Sequence, residues 1–176
     1  MIDQSGKTVW ITGASSGIGE ALAKTFVANG GSAVLSGRNL AELQRVADET
    51  GAAERCLILP FDTQDFACLP AMLDKALNFQ GQVDVLVNNA GISQRSLAVE
   101  TDFAVYERIV GVDLLAPIAL TQALLPHLLA RGAGQLVMIS SVAGKAGVPM
   151  RTAYCAAKHG LIGYSDALRS EVAGQG

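Results

Sequence analysis

TGASSGIG, residues 12–19, is the stretch that decides the fold of this chain. It follows the apolar run Thr8–Ile11 and opens the helical pattern Ile18–Ala28, so it predicts a tight turn from a buried strand into a helix. Glycines there let the backbone approach a pyrophosphate and let the helix pack close to the strand. The free N–H groups of the helix N-terminus attract phosphate oxygens. We therefore predict a dinucleotide-binding turn formed by Gly13, Ser15, Ser16, Gly17, Ile18 and Gly19.

Short apolar runs alternate with longer helical patterns along the whole sequence. The predicted strands are Thr8–Ile11, Ser32–Ser36, Cys56–Pro60, Val83–Val87 and Gln135–Ser140. The predicted helices are Ile18–Ala28, Leu40–Glu49, Asp65–Phe79, Phe103–Arg131 and Thr152–Val172. This alternation is typical of an α/β fold, a doubly wound parallel sheet with helices on both faces. We expect residues 1–176 to form a single domain whose fifth strand is an open edge.

The composition argues against several functional classes. A net charge of −3 gives no basic surface for nucleic acid. The most apolar stretch, Val112–Ala130, is interrupted by polar residues, so we expect no membrane partner. Three scattered cysteines, Cys56, Cys68 and Cys155, form neither a disulfide framework nor a metal motif. We therefore expect a cytoplasmic protein without a metal site.

The residues after the second predicted strand bear on the choice of cofactor. An acidic side chain at this place would bind a ribose 2′-hydroxyl, whereas an arginine would bind a 2′-phosphate. The sequence here reads Ser36-Gly37-Arg38-Asn39 and contains no acid. Because a guanidinium is a two-pronged donor to phosphate, Arg38 favours NADP(H) over NAD(H). An ordinary solvated arginine is the alternative.

Three further groups follow predicted strands or lie on the last helix. Tyr154 and Lys158 are four residues apart and share a helix face, where the ammonium would stabilise the phenolate that a proton-exchanging tyrosine needs. Ser141 follows the fifth strand, and its hydroxyl suits a substrate oxygen on which charge develops. Asn88-Asn89-Ala90-Gly91 follows the fourth strand and either shapes a cofactor cleft or is a plain turn.

Together, these motifs closely resemble the short-chain dehydrogenase/reductase family over the whole chain. The resemblance implies a Rossmann-type sheet of strand order 3-2-1-4-5 and hydride transfer between nicotinamide and a carbonyl or alcohol substrate. Tyr154 would exchange the proton, Lys158 would also bind the nicotinamide ribose, and Ser141 would orient the substrate oxygen. Asp62 and Thr63 would contact the adenine, and Asn89, Ala90 and Gly91 would line the cleft. The resemblance also implies a homodimer or homotetramer formed through helices near Val112–Arg131 and Thr152–Val172.

Two departures from the family pattern concern catalysis. Asp113 stands where the family usually has an asparagine that binds a water of the proton relay, and its charge would disfavour the phenolate. Family members usually continue for about 70 residues beyond the position that matches Gly176, and their total length is still within the usual size of one domain. The absent part would hold strands 6 and 7 and most of the substrate lid, so the chain is expected to be C-terminally truncated.

Two readings of the function therefore stand side by side. The first is an NADP(H)-dependent oxidoreductase with catalytic residues Ser141, Tyr154, Lys158 and Asp113. The second is a non-catalytic dinucleotide-binding module, or an inactive truncated fragment of such an enzyme. Binding alone does not require Ser141, Tyr154 and Lys158 together, which favours the first reading. Asp113 and the missing lid favour the second. The sequence does not define the substrate or the direction of the reaction.

Overall fold

Strands and helices alternate in the structure, a computed structural model that describes residues 2–175. The strands are β1 (Thr8–Thr12), β2 (Ser32–Gly37), β3 (Cys56–Pro60), β4 (Val85–Asn88) and β5 (Gln135–Met138). The helices are α1 (Gly17–Ala28), α2 (Leu40–Glu49), α3 (Leu69–Gln80), α4 (Phe103–Val110), α5 (Ala116–Arg131) and α6 (Thr152–Val172). All strand pairs are parallel, in the order β3-β2-β1-β4-β5. This order confirms the predicted fold class.

Both faces of the sheet are covered by helices, and the side chains of each strand alternate between these two faces. Val9 and Ile11 of β1 pack in the layer that includes α1 and α2. Trp10, which lies between them in sequence, packs on the other side with Leu120 and Leu124 of α5. Strands of this kind carry apolar residues at successive positions. Strands that are buried on both faces explain why half of the residues of this chain are hydrophobic.

Element boundaries differ from the prediction where side chains replace backbone partners. The fourth strand begins at Val85 rather than Val83, because the Asp84 carboxylate accepts the N–H of Thr8 at 2.7 Å. The fifth strand ends at Met138 rather than Ser140. As expected, β5 is an edge of the sheet, and a groove of about 410 Å³ lies beside it between α5 and α6.

The predicted long helix over residues 103–131 contains a π-helical turn, Gly111–Leu115, between α4 and α5. The N–H of Ala116 donates to the carbonyl of Gly111, five residues earlier. Pro117 has no N–H to give to the carbonyl of Asp113, which is the bond that an α-helix would form there. A wider turn is the local solution, and turns of this type are frequent at functional sites.

The stretch Phe103–Arg131 is also long and apolar enough to cross a membrane by length and composition alone. Its most apolar 18-residue window has a mean hydropathy of 1.7, and 44% of that window is buried within the fold. Core helices of folded proteins meet the same criterion. Leu120, Leu124 and Leu128 of this stretch lie in the core. The expectation that the chain has no membrane partner stays a prediction.

A threonine hydroxyl joins the ends of β1 and β4, from which the site is built. The Oγ1 atom of Thr12 accepts the N–H of Asn89 at 3.0 Å and that of Ala90 at 3.1 Å. The side chain is 2% exposed. Polar backbone groups that leave a sheet need such partners, because an unsatisfied buried donor is costly. The loop after β4 is therefore fixed against the turn after β1.

We predict that Thr12→Val lowers the free energy of unfolding by about 1–3 kcal/mol, the cost of a buried donor left without a partner. Valine keeps the shape of threonine but cannot accept the two N–H groups. Urea unfolding followed by far-UV circular dichroism measures the change. Thr12→Ser is the matched control, because it keeps the hydroxyl. If the serine variant is destabilised as much as the valine variant, the hydroxyl is not the connection that we describe.

Candidate functional site

A cleft of about 310 Å³ opens at the carboxyl ends of the strands, where the chain order reverses between β1 and β4. Crevices at this position are the usual ligand sites of open α/β sheets. Nine of the residues predicted to bind cofactor line it: Gly13, Ser15, Ser16, Arg38, Asp62, Thr63, Asn89, Ala90 and Gly91. The predicted residues Gly17, Ile18 and Gly19 form the first turn of α1 next to it.

Close contacts require two glycines of the turn, Gly13 and Gly19, whereas Gly17 has open space around it and a left-handed backbone with φ of 58°. A Cβ atom on Gly13 would lie 2.9 Å from the Cα of Ala90. One on Gly19 would collide with the carbonyl of Gly13 and lie 2.6 Å from the Nδ2 of Asn89. Asn89 in turn donates from Nδ2 to the carbonyls of Thr12, at 3.0 Å, and Gly13, at 3.1 Å. The Asn89 amide therefore fixes the shape of the turn.

The helix that starts at this turn has free donors facing the cleft side. Ser16 is the N-cap of α1, and its side chain makes no capping hydrogen bond. The N–H groups of a first helical turn lack partners within the helix, and the positive end of the helix dipole lies there. On the other side of the turn, Arg45 of α2 donates to the carbonyl of Ser15 at 3.3 Å. The N–H of Ala14 donates to the carbonyl of Ser36 at 3.0 Å, so the turn is held by β2 and α2 while the first N–H groups of α1 stay available for an anion.

Two guanidinium groups stand on the walls of the cleft. Arg38 follows β2, and Arg108 lies on α4. Within residues 2–175, neither of them forms an ion pair or a side-chain hydrogen bond. The one acid in the lining, Asp62, accepts the N–H of Gln64 at 3.0 Å. The cleft therefore has a net positive charge, which suits a phosphorylated ligand.

A buried ion pair lies next to the cleft. Lys158, 4% exposed, places its Nζ atom 3.2 Å from Oδ2 of the fully buried Asp113. The same ammonium donates to the carbonyl of Ile139 at 3.0 Å. Oδ1 of Asp113 accepts the N–H of Ile92 at 2.8 Å. Burial raises the pKa of Asp113, whereas the N–H of Ile92 and the Lys158 ammonium oppose that rise.

The π-helical turn explains how Asp113 reaches this position. The turn faces α6, where a Cβ on Gly160 would lie 2.9 Å from Leu114. Ile92 lines the cleft, so the Asp113–Ile92 hydrogen bond connects the ion pair to the cofactor cleft. The family resemblance assigned Asp113 to the proton relay and named no contact with Lys158. The structure shows the direct contact between the two charges.

Tyr154 and Ser141 lie beside this pair. The Nζ atom of Lys158 is 5.6 Å from the centre of the Tyr154 ring. The hydroxyl of Ser141 accepts the N–H of Ala143 at 3.2 Å and so starts a short 3₁₀ turn. That turn packs on α6, because a Cβ on Gly144 would lie 2.9 Å from the carbonyl of Lys158. The predicted hydroxyl, phenol and ammonium therefore belong to one region at the carboxyl edge of the sheet.

Two residues around the site, Arg108 and Arg151, were missed from the sequence, and the contact of a third, Gln94, was not foreseen. Arg108 precedes Val112 by one helical turn, and this spacing could have placed both on the cleft side. The Gln94 amide lies at the N-terminus of α6, where its oxygen, in the orientation that satisfies its hydrogen bonds, accepts the N–H groups of Thr152 and Ala153. The guanidinium carbon of Arg151 is 5.9 Å from the centre of the Tyr154 ring. No local sequence pattern predicts the contacts of Gln94 and Arg151, because they depend on how the loop after β4 packs against the start of α6.

Comparisons with solved structures agree with this arrangement. A metagenomic short-chain oxidoreductase in complex with NADP superimposes with a TM-score of 0.92 and 33% identity, over 97% of this chain and 78% of that one. A short-chain dehydrogenase from Streptomyces avermitilis superimposes with a TM-score of 0.93 and 34% identity, over 99% of this chain and 64% of that one.

Curated relatives are similar in sequence but longer. The human protein named dehydrogenase/reductase SDR family member 7 is 42% identical over 170 residues, which are 94% of this chain and 50% of that protein. An Anopheles gambiae protein named SDR family protein 7-like is 43% identical over 96% of this chain and 55% of its own length. The chain thus spans about half the length of these relatives. The profile of the family described as short chain dehydrogenase matches residues 7–176, and the chain belongs to that family.

Proposed function

We propose that this chain binds NADP(H) and that Ser141, Tyr154 and Lys158 serve an oxidoreductase that interconverts a carbonyl and an alcohol. The observation that carries the proposal is the buried Lys158 ammonium, 5.6 Å from the centre of the Tyr154 ring and connected through Asp113 and Ile92 to the cofactor cleft. A lysine is rarely buried unless its charge has a task or a partner. Here it has a partner and lies beside a phenol.

The residues of the cleft fit a dinucleotide. Gly13, Ser15 and Ser16 of the turn line the cleft, and the first turn of α1 would offer N–H donors to a pyrophosphate. Arg38 would bind the 2′-phosphate, and Asp62 and Thr63 would bind the adenine. The nicotinamide cofactor, when bound, supplies or accepts the hydride. The solved metagenomic relative is a complex with NADP, which supports the phosphorylated form.

The chain's own side chains would handle the oxygen and its proton. Ser141 would donate a hydrogen bond to the substrate oxygen and hold it in place. Tyr154 would give the oxygen its proton during reduction and take it back during oxidation. Lys158 would stabilise the phenolate through its charge and bind the nicotinamide ribose with a donor that the protein leaves free. Asp113 would reduce the charge that the phenolate feels.

A non-catalytic dinucleotide-binding module is the second candidate. One observation favours it: Asp113 balances the Lys158 charge. Self-association, a cytoplasmic location and a substrate lid outside these residues stay predictions in either case.

The two candidates differ in the effect of Tyr154→Phe. For the oxidoreductase, this change should lower turnover by about 10²-fold or more, the usual contribution of a positioned acid–base group, while NADPH binding stays within about twofold. NADPH fluorescence titration measures binding, and NADPH oxidation with a panel of ketones and aldehydes measures turnover. NADPH binding without turnover in either protein would favour the binding module.

We predict that Arg38→Asp weakens NADPH binding by roughly tenfold or more and changes NADH binding far less, because only NADPH has the 2′-phosphate for a charge-assisted hydrogen bond. Fluorescence titration with each cofactor gives the two dissociation constants. The NADH value is the internal control for folding. Equal losses for both cofactors would overturn the assignment of Arg38.

Asp113→Asn should leave activity at neutral pH unchanged or raise it. In the native chain, burial raises the pKa of the Asp113 carboxyl. Above that pKa, the carboxylate partly neutralises the Lys158 ammonium and so weakens its stabilisation of the phenolate. The asparagine carries no charge at any pH, so alcohol oxidation, which needs the phenolate, should reach half its maximal rate at a lower pH. A pH–rate profile measures the shift. A large loss of activity would show that the carboxylate has a role of its own.

A further inference from the structure

Two loop segments next to Tyr154 carry only positive charges. Residues 89–97 and 139–153 contain Arg95, Lys145 and Arg151 and no aspartate or glutamate. Asp113, on the π-helical turn, is buried and paired with Lys158. The two segments are joined directly, because Ser96 donates its N–H to the carbonyl of Met150 at 3.1 Å. Charges of one sign around a cleft raise the local concentration of the opposite charge. A substrate that enters beside Tyr154 therefore meets a cationic surface.

Arg151 is the cation closest to the proposed proton donor among these residues. Its guanidinium carbon lies 5.9 Å from the centre of the Tyr154 ring, and its Nη1 atom donates to the hydroxyl of Ser93 at 2.8 Å. This bond spans the two segments and holds the guanidinium in place. Met150, just before it, has a left-handed backbone with φ of 64°, which residues other than glycine rarely adopt. Strain of this type collects at ligand sites.

The guanidinium has unused donors. In the part of the chain that the structure describes, Arg151 has no carboxylate within ion-pair distance, and Ser93 takes one of its five N–H groups. The side chain is only partly exposed, so water screens its charge less than at an open surface. A planar, fixed guanidinium matches a carboxylate in two-pronged geometry. A substrate that has a carboxylate would supply the partner that the Arg151 guanidinium lacks among the described residues.

We propose that the substrate of this site is an oxo acid or hydroxy acid whose carboxylate is bound by Arg151. This inference rests on the proposed function. In the reducing direction, the carbonyl carbon gains a hydride from the reduced nicotinamide, and the oxygen gains a proton from Tyr154. The carbonyl becomes an alcohol, and the nicotinamide is oxidised by two electrons. The carboxylate is bound throughout and does not react.

The test measures kcat/KM of the whole chain with NADPH and three isomeric acids, 2-, 3- and 4-oxopentanoate, each beside its methyl ester. The isomers differ in the spacing between carbonyl and carboxylate, and each ester replaces the charged carboxylate by a neutral group that is larger by one methyl. At least one acid should exceed its ester by roughly tenfold or more. Arg151→Gln should lower kcat/KM for that acid by roughly ten- to hundredfold and leave the ester within about twofold.

Two further variants separate charge from structure. Arg151→Lys keeps the charge but loses the fork, so it should recover part of the acid activity. Arg169→Gln removes a positive charge from the exposed part of the same helix and should leave both substrates unchanged. If acid and ester react equally, or if Arg151→Gln lowers both equally, Arg151 is a brace between loops, and the proposal is overturned while the oxidoreductase stands.

Absence of turnover would count against the proposed oxidoreductase, and calorimetry would then decide the substrate class. Each acid and ester is titrated into the chain saturated with NADP⁺. Binding of an acid that exceeds its ester tenfold and disappears in Arg151→Gln supports the carboxylate site. Equal binding of acid and ester, or binding of neither, overturns it.

Discussion

The contact of the glycine turn with the backbone of Ala90 and the side-chain amide of Asn89 is the constraint on which the site depends. A parallel sheet opens a crevice where its strand order reverses, but the crevice has a defined shape only if its two sides are fixed. Thr12 and Asn89 fix them with hydrogen bonds in both directions, from loop to turn and from turn to loop. Gly13 and Gly19 are glycines because a Cβ at either position would collide with the turn or with the loop after β4.

The fold and most of the cofactor cleft could be predicted because they depend on local patterns. Alternating apolar runs indicate the order of strands and helices, and the carboxyl ends of parallel strands meet at one edge. Arg38 and Asp62 each follow a strand, so they come to the same cleft without further information. Boundaries were less accurate where a side chain such as Asp84 took over a backbone bond.

The electrostatics of the site could not be predicted in the same way. The Asp113–Lys158 ion pair joins residues 45 positions apart in sequence, and the Arg151–Ser93 bond joins residues 58 apart. No periodicity specifies such pairs, because they depend on how α6 packs against the π-helical turn and the loop after β4. Four cations therefore have three different environments: Arg38 and Arg108 line the cleft, Lys158 is neutralised in the interior, and Arg151 lies near the phenol with no carboxylate partner among residues 2–175.

The π-helical turn also ties two regions of the molecule to a residue count. A residue in a helix turns the chain by about 100°, since 3.6 residues complete a circle. Gly111–Leu115 accommodates one residue more than a regular turn, so α4 and α5 present their own faces correctly only while that residue is present. Shortening the turn by one residue would leave the leucines of α5 in the core and rotate Arg108 of α4 away from the cleft. The π-helical turn therefore sets the angle between the face of α5 that packs on the sheet and the face of α4 that lines the cleft.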